Sequence, residues 1–191
     1  MTHVDEKNYA VVEFDILASE LIRTIVNPTE KSHVVLISPW VKDYAIPLTW
    51  PSFTSNFVNI TDMQTTSDIL ILLLKRGIDI SIVTIDPEQL SAGNWSSKNV
   101  RETREFCEKI RDAGGKITYT KGRKYNHGKL LWTSEHALVG SGNFTEQGRN
   151  PTWQLNVGEL IIKNKDERSH AKKLEWALES IKDPENEPDE S

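Results

Sequence analysis

The chain has 191 residues and a formal net charge of −5, from 23 Lys and Arg against 28 Asp and Glu. This length makes one domain of ordinary size, which can bury a core without disulfides or structural metals. A single cysteine, Cys107, excludes an intrachain disulfide and a zinc site built from several cysteines, and it fits a reducing, cytoplasmic setting. The longest apolar run, residues 69–74, is too short to span a membrane, and the acidic N-terminus does not resemble a secretory signal.

Helix and strand patterns alternate along the chain. The first half predicts a helix over residues 14–25, a buried strand over 33–38, a long loop over 39–63, a helix over 65–76 and a strand over 78–85. The second half predicts a helix over 97–113, strands over 116–120, 129–133, 137–140 and 154–162, and a final amphipathic helix over 166–181. This alternation predicts an α/β domain with a mixed, largely parallel sheet flanked by helices.

The last nine residues, 183–191, differ in composition from the rest of the chain. They hold five acids, two prolines and no large apolar side chain. We therefore expect an acidic, disordered tail after a single domain over residues 1–182. Without the tail, 23 acids balance 23 bases. The negative total belongs to the tail, so it does not exclude a nucleic-acid partner for the domain.

Residue types suited to phosphate chemistry are concentrated between positions 127 and 159. His127 and Lys129 are two apart, so their side chains point to the same face if this segment is a strand. An imidazole can act as a nucleophile or as an acid and base, and an ammonium group can bind a phosphate oxygen. A later carboxylate, Glu159, can hold the imidazole in one tautomer.

A glycine-rich turn completes this set of groups. The sequence Gly140-Ser141-Gly142-Asn143 offers backbone N–H groups, a hydroxyl and an amide to an anion. Together with His127 and Lys129, the turn predicts a phosphoryl-transfer site that needs no metal ion. In this site His127 attacks phosphorus, and the other groups stabilise the equatorial oxygens.

The order of these residues resembles the signature of the phospholipase D superfamily, the HKD motif H-x-K-x4-D-x6-G-S-x-N. The matching residues are His127, Lys129, Gly140, Ser141 and Asn143, and Phe144-Thr145 adds to the likeness. The chain departs from the motif at two points. Ser134 stands where the family has its Asp, and the interval from His127 to Gly140 is one residue shorter. Glu135 is adjacent to Ser134, but the role of the Asp is not carried over to it.

The resemblance implies a particular active site. In related small members a Glu after the turn pairs with the His, and Glu159 fits that place. Family active sites use two HKD motifs, one His as nucleophile and the other as general acid, whereas this chain has one H-x-K. A chain with one motif completes its site as a homodimer, as in the small bacterial nucleases and a metal-independent restriction endonuclease of the family. No cofactor or metal ion is implied.

The basic residues around His127 suggest the substrate. Lys121, Arg123, Lys124 and Lys129 put four positive charges into nine residues that contain no acid. They favour a basic rim for a nucleic acid. Gly142 of the turn and Trp40, whose ring can stack on a base, are further candidate substrate contacts. The missing membrane anchor argues against a lipid substrate, so we expect a nuclease that acts on DNA or RNA.

Two other functions remain open from the sequence. Because the family Asp is replaced at Ser134, the chain fits a non-catalytic nucleic-acid-binding or assembly subunit of a defence or repair complex. The second alternative is a phosphodiesterase directed at phospholipids. Three of the site residues also have a purely structural interpretation: Trp40 as a cap on the core, Asn143 as an ordinary turn residue and His127 as a surface histidine.

Overall fold

A computed structural model describes residues 2–4, 9–27, 32–45, 64–92, 96–120, 128–145 and 158–162. Four helices lie within these ranges: α1 (Tyr9–Val26), α2 (Thr66–Lys75), α3 (Pro87–Ala92) and α4 (Ser97–Asp112). The strands there are β1 (Thr2–Val4), β2 (His33–Ile37), β3 (Asp79–Ile85), β4 (Lys116–Thr120), β5 (Leu130–Trp132), β6 (His136–Gly140) and β7 (Gly158–Ile162).

The strands form one seven-stranded sheet in the order β1-β7-β6-β5-β2-β3-β4. The pairs β2–β3 and β3–β4 are parallel, and β2–β5, β5–β6, β6–β7 and β1–β7 are antiparallel. The prediction of a mixed α/β sheet is confirmed, but the parallel pairing is confined to β2, β3 and β4. The short turn between β5 and β6 allows these two strands to pair only as an antiparallel hairpin.

Helices cover one face of this sheet. Alternate strand residues such as Val34, Leu36 and Ile82 point to that face, where they form the main core with the buried apolar residues of α1, α2 and α4. Cys107 of α4 lies in this core, and burial raises the pKa of its thiol to about 11. The thiol therefore stays protonated and unreactive at neutral pH.

The opposite face of the sheet carries a smaller apolar cluster. Val35, Ile37 and Val83 are buried there and pack against the half-buried side chains of Leu130 and Trp132. The sheet is thus apolar on both faces around β2. Because both faces are buried, the sequence of β2 is a continuous run rich in β-branched residues and does not alternate between apolar and polar.

The helix boundaries follow from local chemistry. Thr65 precedes α2, and its backbone N–H donates to Asp68 Oδ2 at 2.9 Å, which caps the first turn. Ser96 precedes α4 and accepts from the N–H of Asn99 at 3.3 Å. Gly77 and Gly114 follow the two helices with φ of 79° and 100°, a backbone region that favours glycine. These ends agree with the predicted ones.

Two short elements were not predicted. Strand β1 has three residues, too few to show a period, and it pairs with β7 at the edge of the sheet. Helix α3 follows Asp86, whose Oδ1 accepts from the N–H of Glu88 at 2.9 Å, and it begins at Pro87. Asp followed by Pro is a helix-start signal. Four predicted segments lie outside the described residues: 46–63 of the long loop, 154–157 of a strand, the helix over 166–181 and the tail over 183–191.

Asp43 connects the segment after β2 with helices α2 and α4. Its carboxylate accepts from the N–H and hydroxyl of Ser67, at 2.9 and 2.6 Å, and from Thr66 Oγ1 at 3.0 Å, all at the start of α2. Lys109 Nζ of α4 donates to it at 2.9 Å. Burial by itself raises the pKa of Asp43, but the hydrogen bonds from Ser67, Lys109 and Thr66 outweigh it and leave the pKa below its usual value.

Asp43 should therefore stabilise the fold in a pH-dependent way. At pH 7, we expect Asp43→Asn to lower the free energy of unfolding by about 1 to 3 kcal/mol, because charge-assisted hydrogen bonds are lost. The folded pKa is depressed, so this stabilisation is present above the unfolded pKa of about 3.9 and is lost as the pH falls through the folded pKa. Urea unfolding from pH 7 downwards measures the difference.

The exposed Asp112 at the end of α4 supplies the matched control. Asp112→Asn should change the free energy of unfolding by less than about 0.5 kcal/mol across the same pH range. An advantage of wild type over Asp43→Asn that stays constant as the pH is lowered to 2 would contradict the account of Asp43.

Candidate active site

Several chain segments meet at one end of the sheet. Strand β2 ends there, and its last residue, Ile37, pairs with Leu130, the first residue of β5. The N–H of Gly140, at the end of β6, donates to the carbonyl of Lys129 at 3.0 Å. Gly158, the first residue of β7, pairs with Gly140. The fold thus brings Lys129 and the start of the Gly140–Asn143 turn to the carboxyl end of the parallel strands, where α/β sheets place their binding sites.

The segment after β2 is joined to the turn after β6 through Phe144. The N–H of Phe144 donates to Ser38 Oγ at 2.9 Å, and the N–H of Lys42 donates to the carbonyl of Phe144 at 2.9 Å. Val41 and Phe144 form an isolated parallel bridge. The contact made by Ser38 was not predicted, although a serine at the carboxyl end of a buried strand is a usable signal.

The ring of Phe144 is fully buried beneath this connection. It packs edge-on against Tyr44, with ring centroids 5.2 Å apart, and against Phe106 of α4 at 6.0 Å. The hydroxyl of Tyr44 donates to the buried carboxylate of Glu13 on α1. Aromatic packing and one buried hydrogen bond therefore fix the residue that follows Asn143.

Asn143 carries a buried polar atom without a partner. Its Oδ1 is out of contact with solvent and accepts no hydrogen bond. Leaving a buried acceptor unsatisfied costs about 1 to 3 kcal/mol, and folded proteins avoid it almost everywhere. An amide held in this state at the expense of stability fits a site in which a bound molecule or a reacting group supplies the missing donor.

Lys129 is partly withdrawn from water. The residue is half-buried, and burial lowers the pKa of its ammonium group. A partly desolvated cation attracts a phosphate more strongly than a fully hydrated one, because the local dielectric is lower. Within the turn, Ser141 is exposed and Gly142 is buried.

The other predicted site residues are described in part or not at all. Glu159 lies in β7, where its backbone is in register with Val139 of β6 and His3 of β1, next to the pair formed by Gly158 and Gly140. Its side chain lies outside the described part of the chain. The same holds for the whole of His127 and for the basic residues Lys121, Arg123 and Lys124.

Trp40 lies at the same end of the sheet. It is half-buried and packs against Ile85, the last residue of β3, and Val100 of α4. This position matches the structural interpretation of Trp40 as a cap on the core, and its carbonyl accepts from Ser38 Oγ at 2.6 Å.

Ser134, which stands at the family Asp position, lies at the opposite end of the β5–β6 hairpin from Lys129 and Gly140. Its Oγ donates to Glu20 Oε1 at 2.8 Å, and its N–H donates to Oε2 at 3.2 Å. Glu20, on α1, is almost fully buried and also accepts from Arg23 at 3.0 Å. Position 134 therefore ties the hairpin to α1, and the replacement of Asp by Ser removes no group from the candidate site.

This assignment predicts an effect of Ser134→Ala on stability alone. Loss of the hydroxyl bond to Glu20 should lower the free energy of unfolding by about 1 kcal/mol in urea titrations. The backbone amide resonances of residues 141–144 should not shift. Glu135→Ala, at the exposed neighbouring position, is the control and should be neutral within about 0.5 kcal/mol. A shift of the Asn143 or Phe144 resonance in Ser134→Ala would refute the assignment.

Two kinds of feature are absent from the part of the chain that the structure describes. Within those ranges, no group of three or more His, Cys, Asp or Glu side chains is arranged to hold a metal ion. No helix in the same part of the chain combines the length and the apolar character needed to cross a membrane.

Comparison by sequence identifies no relative. No protein-family model matches the chain, and no curated protein matches it. Comparison by structure does find similar folds. The chain superposes on a phospholipase D family member, Nuc from Salmonella typhimurium, with a TM-score of 0.52 and 17% identity, over 89% of this chain and 84% of Nuc.

Two further solved structures are similar. NucT from Helicobacter pylori gives a TM-score of 0.54 at 12% identity, over 94% of this chain and 93% of NucT. Polyphosphate kinase from Porphyromonas gingivalis gives 0.55 at 17% identity, over 98% of this chain but 26% of the kinase, so the chain spans about a quarter of that protein. At such identities the likeness concerns the fold, and the chain has a phospholipase D-like fold.

Proposed function

We propose that this protein is a phosphodiesterase that cleaves nucleic acid through a phosphohistidine on His127, without a metal ion, in a site completed by a second copy of the chain. The observation that carries the proposal is the hydrogen bond from the N–H of Gly140 to the carbonyl of Lys129, which joins Lys129 to the turn that holds Asn143. In that turn Asn143 Oδ1 is buried without a partner, so it can accept a hydrogen bond from a reacting group. Lys129 and Asn143 belong to the motif that also contains His127, and the chain has the fold of Nuc and NucT.

The reaction has two displacement steps. In the first, His127 of one subunit attacks phosphorus, so that a P–N bond forms while the P–O bond to the leaving group breaks. His127 of the partner subunit gives a proton to the leaving oxygen. The same imidazole then takes a proton from water, and the resulting hydroxide attacks phosphorus and breaks the P–N bond.

The remaining site residues stabilise this chemistry. Lys129 Nζ and Asn143 Nδ2 of both copies donate hydrogen bonds to the equatorial oxygens, where negative charge develops. The Ser141 hydroxyl and the N–H groups around Gly142 support the same oxygens, and Glu159 orients His127. The half-buried Lys129 supports this arrangement because burial removes part of the hydration of its charge before the substrate binds.

Charge favours nucleic acid as the substrate. The segment with Lys121, Arg123 and Lys124 precedes His127 directly, and the body of the chain is neutral without its acidic tail. A phosphate backbone binds to such a basic rim by counterion release, largely independent of sequence. Trp40, at the end of the sheet where Lys129 lies, is the candidate for contact with a base.

Hydrolysis in the presence of EDTA tests the mechanism. We expect wild type to cleave single- or double-stranded DNA, or RNA, in excess EDTA, and His127→Ala to lose about a thousandfold or more of this activity. The control is His33→Ala, which removes an exposed imidazole at the opposite end of β2. Activity that disappears on chelation, or that survives in His127→Ala, contradicts the proposal.

The alternative functions give different results in the same assays. Salt-dependent DNA binding without cleavage, and with no phosphorylated histidine trapped in a rapid acid-free quench, would show a non-catalytic binding or assembly subunit. Cleavage of phospholipid vesicles with no activity on nucleic acid would show a lipid-directed phosphodiesterase. Either result overturns the assignment to nucleic-acid cleavage.

Mixed dimers test the shared site. In a symmetric dimer each site needs His127 from both copies, so a dimer of one wild-type and one His127→Ala chain should be inactive. When the two proteins are refolded together in equal amounts, we expect about a quarter of the activity of the same total amount of wild type. Retention of about half that activity, together with a monomer in sedimentation, would contradict the shared site.

A further inference from the structure

The position of the Asn143 amide has to be imposed by the backbone, because its Oδ1 has no hydrogen-bond partner. Residues 141–143 lie outside the strands, after the last residue of β6. The residue directly after Asn143 is Phe144, which is bonded through both its N–H and its carbonyl. The contacts that fix Phe144 therefore fix the chain on one side of Asn143.

Ser38 is bonded to the backbone of Phe144. Ser38 is 1% exposed, and its hydroxyl donates to the carbonyl of Trp40 at 2.6 Å. The single hydroxyl proton is used by that bond, so the oxygen lone pairs remain for the Phe144 N–H at 2.9 Å. The Ser38 side chain therefore links the segment after β2 to the segment after β6.

The backbone of Ser38 is itself fixed by the sheet. Its N–H donates to the carbonyl of Val83 in β3 at 3.0 Å, so the residue continues the pairing of β2 and β3. A path of direct bonds thus runs from the centre of the sheet through the Ser38 hydroxyl to Phe144, one residue from Asn143. The second bond to Phe144, from the N–H of Lys42, fixes its carbonyl but leaves its N–H to Ser38.

We propose that Ser38 is a positioning residue, whose hydroxyl sets the Asn143 amide against the phosphate through the Phe144 N–H. This inference rests on the proposed function, because it names how the same site is held in its working geometry. Ser38 does not touch the substrate. It acts through Asn143, and a displacement of about 1 Å at such a group can reduce the rate about a hundredfold.

The main test compares two Ser→Ala substitutions at opposite ends of the sheet. Ser38→Ala should lower kcat for diester cleavage by about 10- to 100-fold with little change in KM. The Asn143 amide loses its orientation, whereas the charge of Lys129 that binds the phosphate is kept. Ser134→Ala removes a part-buried hydroxyl bond of similar length, 2.8 Å, far from the site and should leave kcat unchanged. Rates are taken at a temperature at which circular dichroism shows each variant folded.

A double-mutant cycle separates positioning from general structural damage. If Ser38 acts through Asn143, Ser38→Ala should have less than about a twofold effect in an Asn143→Ala background. The full effect of Ser38→Ala in that background overturns the proposal. If Ser38→Ala does not fold, Ser38→Cys keeps the packing volume with a weaker acceptor and should give an intermediate loss of kcat.

Inorganic phosphate gives a readout that does not depend on turnover. Titration of wild type should shift the side-chain amide resonance of Asn143, and this shift should be several-fold smaller in Ser38→Ala than in Ser134→Ala. If wild type cleaves no diester but this difference is found, the proposed function fails and the role of Ser38 stands. If Ser38→Ala and Ser134→Ala are alike, or wild type binds no phosphate at Asn143, the inference is overturned.

Discussion

The candidate site depends on the pairing of β2 with two different strands. One edge of β2 is bonded in parallel to β3, and the other edge is bonded antiparallel to β5. Residues 34–37 are buried on both faces, so β2 cannot shift in register without exposing apolar side chains. This pairing places the end of β2, the start of β5 and the end of β6 at one end of the sheet, where Ser38, Lys129 and Asn143 lie.

Much of this arrangement can be predicted from the sequence because it follows local rules. The buried runs at β2 and β3, the caps at Thr65 and Ser96, and the glycines after α2 and α4 determine their elements with little help from the rest of the chain. The motif residues also identify Lys129 and Asn143 as a candidate pair. The Gly140 to Lys129 bond brings their segments together in the described structure.

Contacts between distant segments could not be predicted in the same way. Ser38 and Phe144 are separated by 106 positions, and Ser134 and Glu20 by 114, with no periodic pattern that relates them. The replacement of the family Asp by Ser134 therefore looked in the sequence like damage to a catalytic motif. In the structure Ser134 contacts α1. There the buried carboxylate of Glu20 accepts hydrogen bonds from Arg23 of the same helix and from Ser134 of the hairpin.

We propose that two copies of the chain hold one phosphoryl group between them. A crystal structure of wild type grown with orthovanadate, an analogue of the transferring phosphoryl group, is the sharpest test. We expect one vanadate for each pair of chains, on a two-fold axis, bound to His127 and contacted by Lys129 and Asn143 of both copies. A monomer, or a vanadate bound away from these residues, would contradict it.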